Sequence, residues 1–110
     1  QGAVAQGVGA ALLEEYVYDD GANPLVTTFA DYLVPSIHEV PISQRDFIVT
    51  PSPFTPLGAK GCGEGAMHAT PAAVICAIND ALAPLGVEVT ETPATPLRVW
   101  NLLQQARAAG

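Results

Sequence analysis

Residues 51–65 read PSPFTPLGAKGCGEG and lie near the middle of a 110-residue chain. The first part of this stretch contains three prolines, which bias the residues before them toward an extended backbone. The second part has glycine at four of the eight positions 58–65. Because so many glycines disfavour both a helix and a central strand, we expect a loop that follows a rigid, extended lead-in.

A glycine-rich loop with one lysine first suggests phosphate binding, but the spacing disfavours both common nucleotide motifs. A phosphate loop needs the order G-x-x-x-x-G-K-[ST], whereas here Lys60 precedes Gly61 and Cys62 follows it. The dinucleotide fingerprint G-x-G-x-x-G also fails, since Gly61 and Gly63 are followed too early by Gly65.

Glu64 is the candidate catalytic residue of the loop. Its neighbours Gly63 and Gly65 permit unusual backbone dihedrals and let the carboxylate come close to a ligand. A carboxylate held in this way can act as a general base. The alternative is a solvated glutamate on a surface turn, and the residues alone favour that alternative.

A helix is predicted over residues 2–15 on the N-terminal side of the loop. Three apolar residues recur there at every fourth position: Val4, Val8 and Leu12. The same stretch contains three glycines: Gly2, Gly7 and Gly9. Because glycine weakens a helix, they indicate close approach by another backbone or a ligand. Gln6 either hydrogen-bonds a cofactor or is an ordinary packing or surface residue.

Two further helices are predicted to begin at Thr-Pro pairs. One starts near Thr70, the predicted N-cap, with Pro71 at the first helical position, and ends at Pro84 and Gly86. The other starts at Thr95–Pro96 by the same logic. We expect that helix to bury four side chains: Val99, Trp100, Leu103 and Ala106.

Short strands are predicted in four places: 16–18, 25–29, 46–50 and 87–89. The first two flank a turn and form a plausible hairpin, and the third has Phe47 and Val49 on one face. Pro35 and Pro41 bound an irregular stretch. The order of elements predicts an α+β fold, with the helices packed on a small mixed or antiparallel sheet.

Composition narrows the classes of partner. The net charge is −7, and the four basic residues do not cluster, so neither nucleic acid nor an anionic membrane is an expected partner. Two cysteines without metal-ligand spacing favour a reducing, cytoplasmic location. No signal peptide or membrane span is visible. The chain begins with Gln1 rather than Met, so we expect it to work only with a longer polypeptide.

Four segments in the same order resemble the molybdenum hydroxylases, the family of xanthine dehydrogenases, aldehyde oxidoreductases and the large subunit of aerobic carbon monoxide dehydrogenase. The segments are QGAVAQGVG at 1–9 with LEE at 13–15, a DY-x-x-P motif in 29–35, the run TPSPFTPLGAKGCGEG at 50–65, and a TP-x-x-V-W motif at 95–100. The resemblance covers nearly the whole chain. It implies that residues 1–110 are a C-terminal fragment of the molybdopterin-binding domain, with the cofactor loop at 57–65.

The resemblance also implies a chemistry. Glu64 corresponds to the glutamate beside the molybdenum, which takes a proton from a hydroxyl on the metal. The oxygen, derived from water, is then added to a carbon centre of an aldehyde, an N-heterocycle or carbon monoxide. Backbone near the cofactor maps onto five residues: Lys60, Gly61, Cys62, Gly63 and Gly65. Gln6 is a further candidate for cofactor binding, and no residue of this chain is expected to ligate the metal.

The implied cofactor is molybdenum–molybdopterin, in its cytosine dinucleotide form, with 2Fe-2S clusters and FAD in other domains or subunits. The implied partners are the remainder of the molybdopterin subunit, the iron–sulfur and flavin subunits, and a small-molecule substrate. The alternative function is a non-catalytic homologue that serves as a scaffold or interaction module. The chain departs from the family pattern at Cys62, where a small aliphatic residue is usual. Cys62 is therefore a packing residue or a reactive thiol, and His68 is an exposed residue or a substrate contact.

Overall fold

A computed structural model of the chain describes residues 1–40, 42 and 44–109. Within them, helix α1 spans Gly2–Leu12, α2 spans Thr70–Leu82 and α3 spans Pro96–Ala109, with a 3₁₀ turn at Ala83–Leu85 after α2. The three predicted helices are confirmed, although α1 ends at Leu12 rather than at residue 15. The predicted boundary at Pro41 lies outside the described residues.

Helix α1 packs against α2 through a glycine. A Cβ at Gly7 would fall onto the side chain of Thr70 and lie 3.2 Å from Cδ of Pro71. A Cβ at Gly9 would lie 2.9 Å from Cδ of Pro35. The close approach predicted at Gly7 and Gly9 is confirmed, but the neighbours are side chains and not the backbone or ligand that was expected. At Gly2, by contrast, a Cβ would meet open space.

The substitution Gly7→Ala is expected to destabilise the intact subunit, because the added methyl must displace Thr70 at the start of α2. Overpacking of this kind costs about 1–3 kcal/mol, which lowers the midpoint of thermal unfolding. Gly2→Ala is the matched control, since it adds the same methyl to the same helix in open space. Equal midpoints for the two variants would contradict the packing described for Gly7.

The start of α2 differs from the predicted cap. Its N-cap is Ala69, and Thr70 is the first helical residue. The Thr70 hydroxyl donates a hydrogen bond to the carbonyl of Ala66, at 2.7 Å, so it points back along the chain and does not cap the amides ahead. The N-cap prediction for Thr70 was therefore wrong. The predicted end is confirmed: the 3₁₀ turn leads into Gly86, whose φ is +66°.

The start of α3 is capped as predicted, because the Arg98 amide donates to Oγ1 of Thr95 at 3.2 Å. The burial prediction is only partly confirmed. Val99, Leu103 and Ala106 are half-buried, but Trp100 is 56% exposed. The prediction of a buried Trp100 was wrong for this chain, because the spacing indicated an apolar face and no described element covers that side of the helix.

The predicted sheet is not formed within the described residues. Its only trace among the described residues is one antiparallel bridge between Tyr18, the last residue of the first predicted strand, and Pro24, the last residue of the predicted turn. Val87 and Val89 are buried, and the backbone of Val89 is paired with a side chain. The Asn79 amide of α2 donates to the Val89 carbonyl at 3.0 Å and accepts from the Val89 amide at 2.8 Å. A helix side chain thus takes the place of a neighbouring strand.

The chain has a small core and an extended shape. The buried apolar residues of the described part are few: Val8, Ala11, Val87, Val89 and Ala94. The radius of gyration is 17.9 Å, whereas a compact domain of this length has about 13 Å. The accessible surface is 8412 Å², against about 5,800 Å² for a compact monomer of the same mass. Of the described helices, none has the length and apolar character needed to cross a membrane.

Candidate functional site

The lead-in to the loop closes on itself before the glycine run begins. The Ser52 amide donates to the Gly58 carbonyl at 2.9 Å, and the Gly58 amide donates to the Thr55 carbonyl at 3.0 Å. The Thr55 hydroxyl donates to the carbonyl of Ala59 at 3.0 Å. Gly58 has a φ of +67°, a conformation that side-chain-bearing residues rarely adopt. This tight turn sets the direction in which the loop leaves the lead-in.

Lys60 ties the loop to the residue that precedes the proline-rich lead-in. Its Nζ donates to Oγ1 of Thr50 at 2.5 Å, across ten residues of sequence. An ammonium group has three donors, so this contact leaves two for other acceptors. In the described conformation Lys60 therefore positions the loop, whatever else it binds.

Gly61 and Gly63 are not the strained positions of the loop. Neither has a positive φ, and a Cβ on either would meet open space. The unusual dihedrals that Gly63 and Gly65 permit are not used there, because the positive φ falls on Gly58. The physical reason is that the hydrogen-bonded turn lies at residues 52–58, ahead of the glycine run.

Glu64 is held by its backbone while its side chain remains exposed. Its carbonyl accepts hydrogen bonds from the Met67 amide at 2.9 Å and from Nδ1 of His68 at 3.1 Å. Its carboxylate forms no hydrogen bond or ion pair with any other described residue. The side chain is thus presented from an anchored backbone and remains available to a group outside this chain.

His68 takes a part that the sequence did not suggest. A carbonyl can only accept, so the contact with Glu64 requires the proton to be on Nδ1, which leaves Nε2 as an acceptor in the neutral ring. The four-residue spacing between the two residues was the available signal. Of the two interpretations of His68, the structure shows it exposed and bonded locally. Cys62 is likewise exposed and unpaired with Cys76, so it does not pack within the described part of the chain.

The two remaining cofactor candidates, Gly65 and Gln6, lie at the end of the loop and on α1. Gly65 donates its amide to the carbonyl of Cys62 at 3.4 Å, which closes the loop toward α2. Gln6 is exposed on α1 and forms no hydrogen bond with the loop among the described residues. It is related to the loop through its neighbour Gly7, which packs on the first residues of α2.

The loop fits a group that carries hydrogen-bond acceptors on its edges. The backbone amides of residues 59–64 are exposed and donate to no other described residue. Such a run of unbonded amides is costly unless water or a ligand receives the hydrogen bonds. The polar edges of a pterin, or phosphate oxygens, are acceptors of this kind.

A second polar cluster joins α1 to two distant segments. Glu14 accepts a hydrogen bond from the Tyr32 hydroxyl at 2.7 Å. Glu15 forms an ion pair with Arg98 at 2.8 Å, and Arg98 also donates to the carbonyl of Pro93 at 2.6 Å. These contacts join three of the family-like segments to one another: LEE at 13–15, the DY-x-x-P motif and the TP-x-x-V-W motif. These contacts hold the residues that follow α1 in place. They thereby position α1, which packs through Gly7 on the start of α2, where the loop ends.

The hydrogen bond to Glu14 raises the pKa of Tyr32 above the ordinary phenol value of 10.0. Because folding favours the protonated phenol, this contribution to stability is present below pH 10 and is lost as the pH rises through the raised pKa. We expect Glu14→Ala to lower the pKa of Tyr32, measured by ultraviolet titration and assigned by difference from Tyr32→Phe. An unchanged titration would show that this contact is absent in solution.

Comparison with known proteins gives one consistent family, with a domain model that matches the N-terminal part of the chain and relatives that match 90% or more of it. A family described as "Molybdopterin cofactor-binding domain" matches residues 1–41. The large subunit of nicotine 6-hydroxylase of Paenarthrobacter nicotinovorans is 43% identical over 90% of this chain, and 12% of the relative is covered. The carbon monoxide dehydrogenase large chain of Hydrogenophaga pseudoflava is 34% identical over 98% of this chain and 13% of its own length.

A solved structure extends the comparison to the backbone. Quinoline 2-oxidoreductase from Pseudomonas putida 86 superposes with a TM-score of 0.89 and 46% identity, over 94% of this chain and 13% of that one. The fold and the loop together define a fragment of a cofactor-binding subunit. The chain belongs to the molybdenum hydroxylase family, within its molybdopterin-binding subunit. It spans about an eighth of the length of the relatives it matches.

Proposed function

We propose that this chain is the C-terminal, cofactor-facing part of a molybdenum-dependent oxidoreductase that hydroxylates a carbon centre with oxygen derived from water. The observation that carries the proposal is the exposed Glu64 carboxylate, anchored through its backbone carbonyl beside a run of unbonded amides. Two of the relatives are named for nicotine and quinoline. Both compounds are N-heterocycles, so this substrate class is the first to test, ahead of carbon monoxide and aldehydes.

The loop amides are the proposed contacts to the molybdopterin. Free amide donors come from four residues: Lys60, Gly61, Cys62 and Gly63. Gly65, whose amide donates to the Cys62 carbonyl, is proposed as a fifth contact that lies against the cofactor without donating that amide. Gln6 is proposed as a further contact from α1. When bound, the molybdenum cofactor, in its cytosine dinucleotide form, supplies oxygen transfer and accepts two electrons. Iron–sulfur clusters and FAD in other domains or subunits are proposed to carry those electrons away.

Glu64 is proposed to take up the proton released as the water-derived nucleophile attacks the substrate carbon. One of its carboxylate oxygens accepts that proton, which a neutral side chain at this position could not do at the same rate. The backbone contacts from Met67 and His68 keep the residue in place while the carboxylate changes its protonation state. The tie between Lys60 and Thr50 holds the other side of the loop.

The competing function is a scaffold that has lost its chemistry. The two differ in what the intact, natively purified protein contains and does. We expect one molybdenum and one pterin per large subunit, together with hydroxylation of an N-heterocycle. Turnover in ¹⁸O-labelled water is expected to place the label in the product. Absence of metal and pterin from the intact protein, or label derived from molecular oxygen, would contradict the proposal.

The substitution Gly63→Ala tests whether Gly63 lies against a group outside this chain or is constrained by residues within it. Because a Cβ at Gly63 meets open space within this chain, the variant is expected to fold normally. If the loop lies against the cofactor, the methyl intrudes there, and we expect activity or cofactor content to fall at least several-fold. Gly2→Ala, also in open space, is the control. Equal, small effects for both would show that the loop is ordinary surface.

A further inference from the structure

The segment 46–50 has three consecutive apolar residues at its centre, and it is exposed and without regular structure. Phe47, Ile48 and Val49 are 85%, 93% and 83% exposed. Three consecutive apolar side chains in an extended chain point alternately to opposite sides. Both sides of this segment are therefore apolar, which is typical of a strand covered on both faces.

The backbone of the same segment is also unpaired. Among the described residues, no backbone–backbone hydrogen bond involves residues 46–50. The only hydrogen bond made by a backbone amide there is local, from Phe47 to Oδ1 of Asp46 at 2.8 Å. Buried backbone N–H and C=O groups need hydrogen-bond partners. The part of the protein that covers these side chains must therefore also provide neighbouring strands that pair with the backbone.

The length of chain outside this structure identifies the occupant. The chain covers 12–13% of relatives that are single, longer subunits. It exposes roughly 2,600 Å² more surface than a compact monomer of its mass, an area of the size that permanent interfaces bury. A second copy docked on one side would cover one face of the segment and leave the other in water. Only a body that surrounds the segment covers both.

We propose that residues 46–50 form a strand buried on both faces inside the remainder of the same molybdopterin-binding subunit. This rests on the proposed function only in placing the chain within that longer subunit. The strand has a direct link to the loop, because Thr50 at its end accepts the hydrogen bond from Lys60. Docking of the strand therefore fixes one anchor of the loop that carries Glu64.

Amide hydrogen exchange in the intact wild-type subunit tests the burial without any variant. We expect the amides of residues 47–49 to exchange about a hundredfold or more slowly than those of the exposed turn 20–22, as for hydrogen-bonded core strands. Exchange as fast as in that turn would overturn the proposal. Neither metal content nor turnover enters this measurement, so its outcome is independent of the catalytic assignment.

Two substitutions at adjacent positions in the intact subunit test whether both faces of the strand are buried. If both faces are buried, Phe47→Asn and Ile48→Asn each lower the midpoint of thermal unfolding or the yield of folded subunit. The variants control for each other, because a one-sided interface leaves one of the two side chains in water. An effect confined to a single variant would overturn the two-faced arrangement.

A photo-crosslinking phenylalanine analogue at position 47 identifies the covering chain. Crosslinks to other segments of the same large subunit support the proposal. Crosslinks to a second copy of the subunit, or to an iron–sulfur or flavin subunit, would contradict it. The crosslinked peptides are identified by mass spectrometry after proteolysis.

Discussion

Glu64→Gln in the intact enzyme is expected to slow reduction by substrate at least about a hundredfold while the molybdenum and pterin content stays normal. The change preserves size and hydrogen-bonding capacity but removes the basic carboxylate. A positioned general base contributes about 10²–10⁴-fold, and a hundredfold loss corresponds to roughly 3 kcal/mol of barrier. Because the carboxylate forms no hydrogen bond or ion pair with another described residue, its loss is not expected to disturb the loop.

Anaerobic stopped-flow reduction by substrate measures this step apart from later electron transfer. Glu88→Gln is a matched control, since Glu88 is another exposed glutamate whose carboxylate has no described hydrogen bond. If Glu64 only tied down the loop, glutamine would serve nearly as well. A fully loaded Glu64→Gln enzyme with a near-normal reduction rate would end the assignment of Glu64 as the base.

The isolated 110-residue chain is expected to retain no molybdenum after desalting and to turn over no substrate. Its buried apolar residues are few and small, and its surface exceeds that of a compact monomer by almost half. The loop amides and the Glu64 carboxylate are exposed in the described part of the chain. A pterin bound to the isolated chain would therefore remain in contact with water. We also expect a broad thermal transition, since so small a core supports little cooperativity.

Metal analysis by mass spectrometry, with the intact subunit carried through the same desalting, checks this result. The intact subunit is expected to keep its metal under those conditions. Stoichiometric molybdenum on the refolded isolated chain would contradict the prediction. Such a result would mean that the described loop and α1 suffice to hold the cofactor.

The helices were predictable because their signals are local. Apolar spacing, Thr-Pro starts and a glycine end lie within a few residues of one another, and all three helices form where these signals occur. The loop was also predictable from the glycine run. The motif in that run indicated the family that the comparisons confirm. The assignments of Glu64 and of the cofactor-binding residues remain predictions.

The sheet could not be judged from the sequence because a strand needs a partner. The run at 46–50 has strand composition, yet no described residue pairs with its backbone, and its pairing with the rest of the subunit is the proposal made above. The same reasoning applies to Trp100, whose helical position indicates a buried face but not what covers it. At Val89 a partner does exist, and it is the side chain of Asn79.

The sequence by itself determined the family, the three helices and the loop that presents Glu64, because each is encoded by neighbouring residues. Only the tertiary structure decided which glycine carries the turn, Gly58, and which packs a helix, Gly7. It also decided that Lys60 is bonded to Thr50 and that Arg98 joins Glu15, 83 residues away. Such contacts depend on how distant segments of the chain pack together, and the spacing of residues along the sequence does not predict that packing.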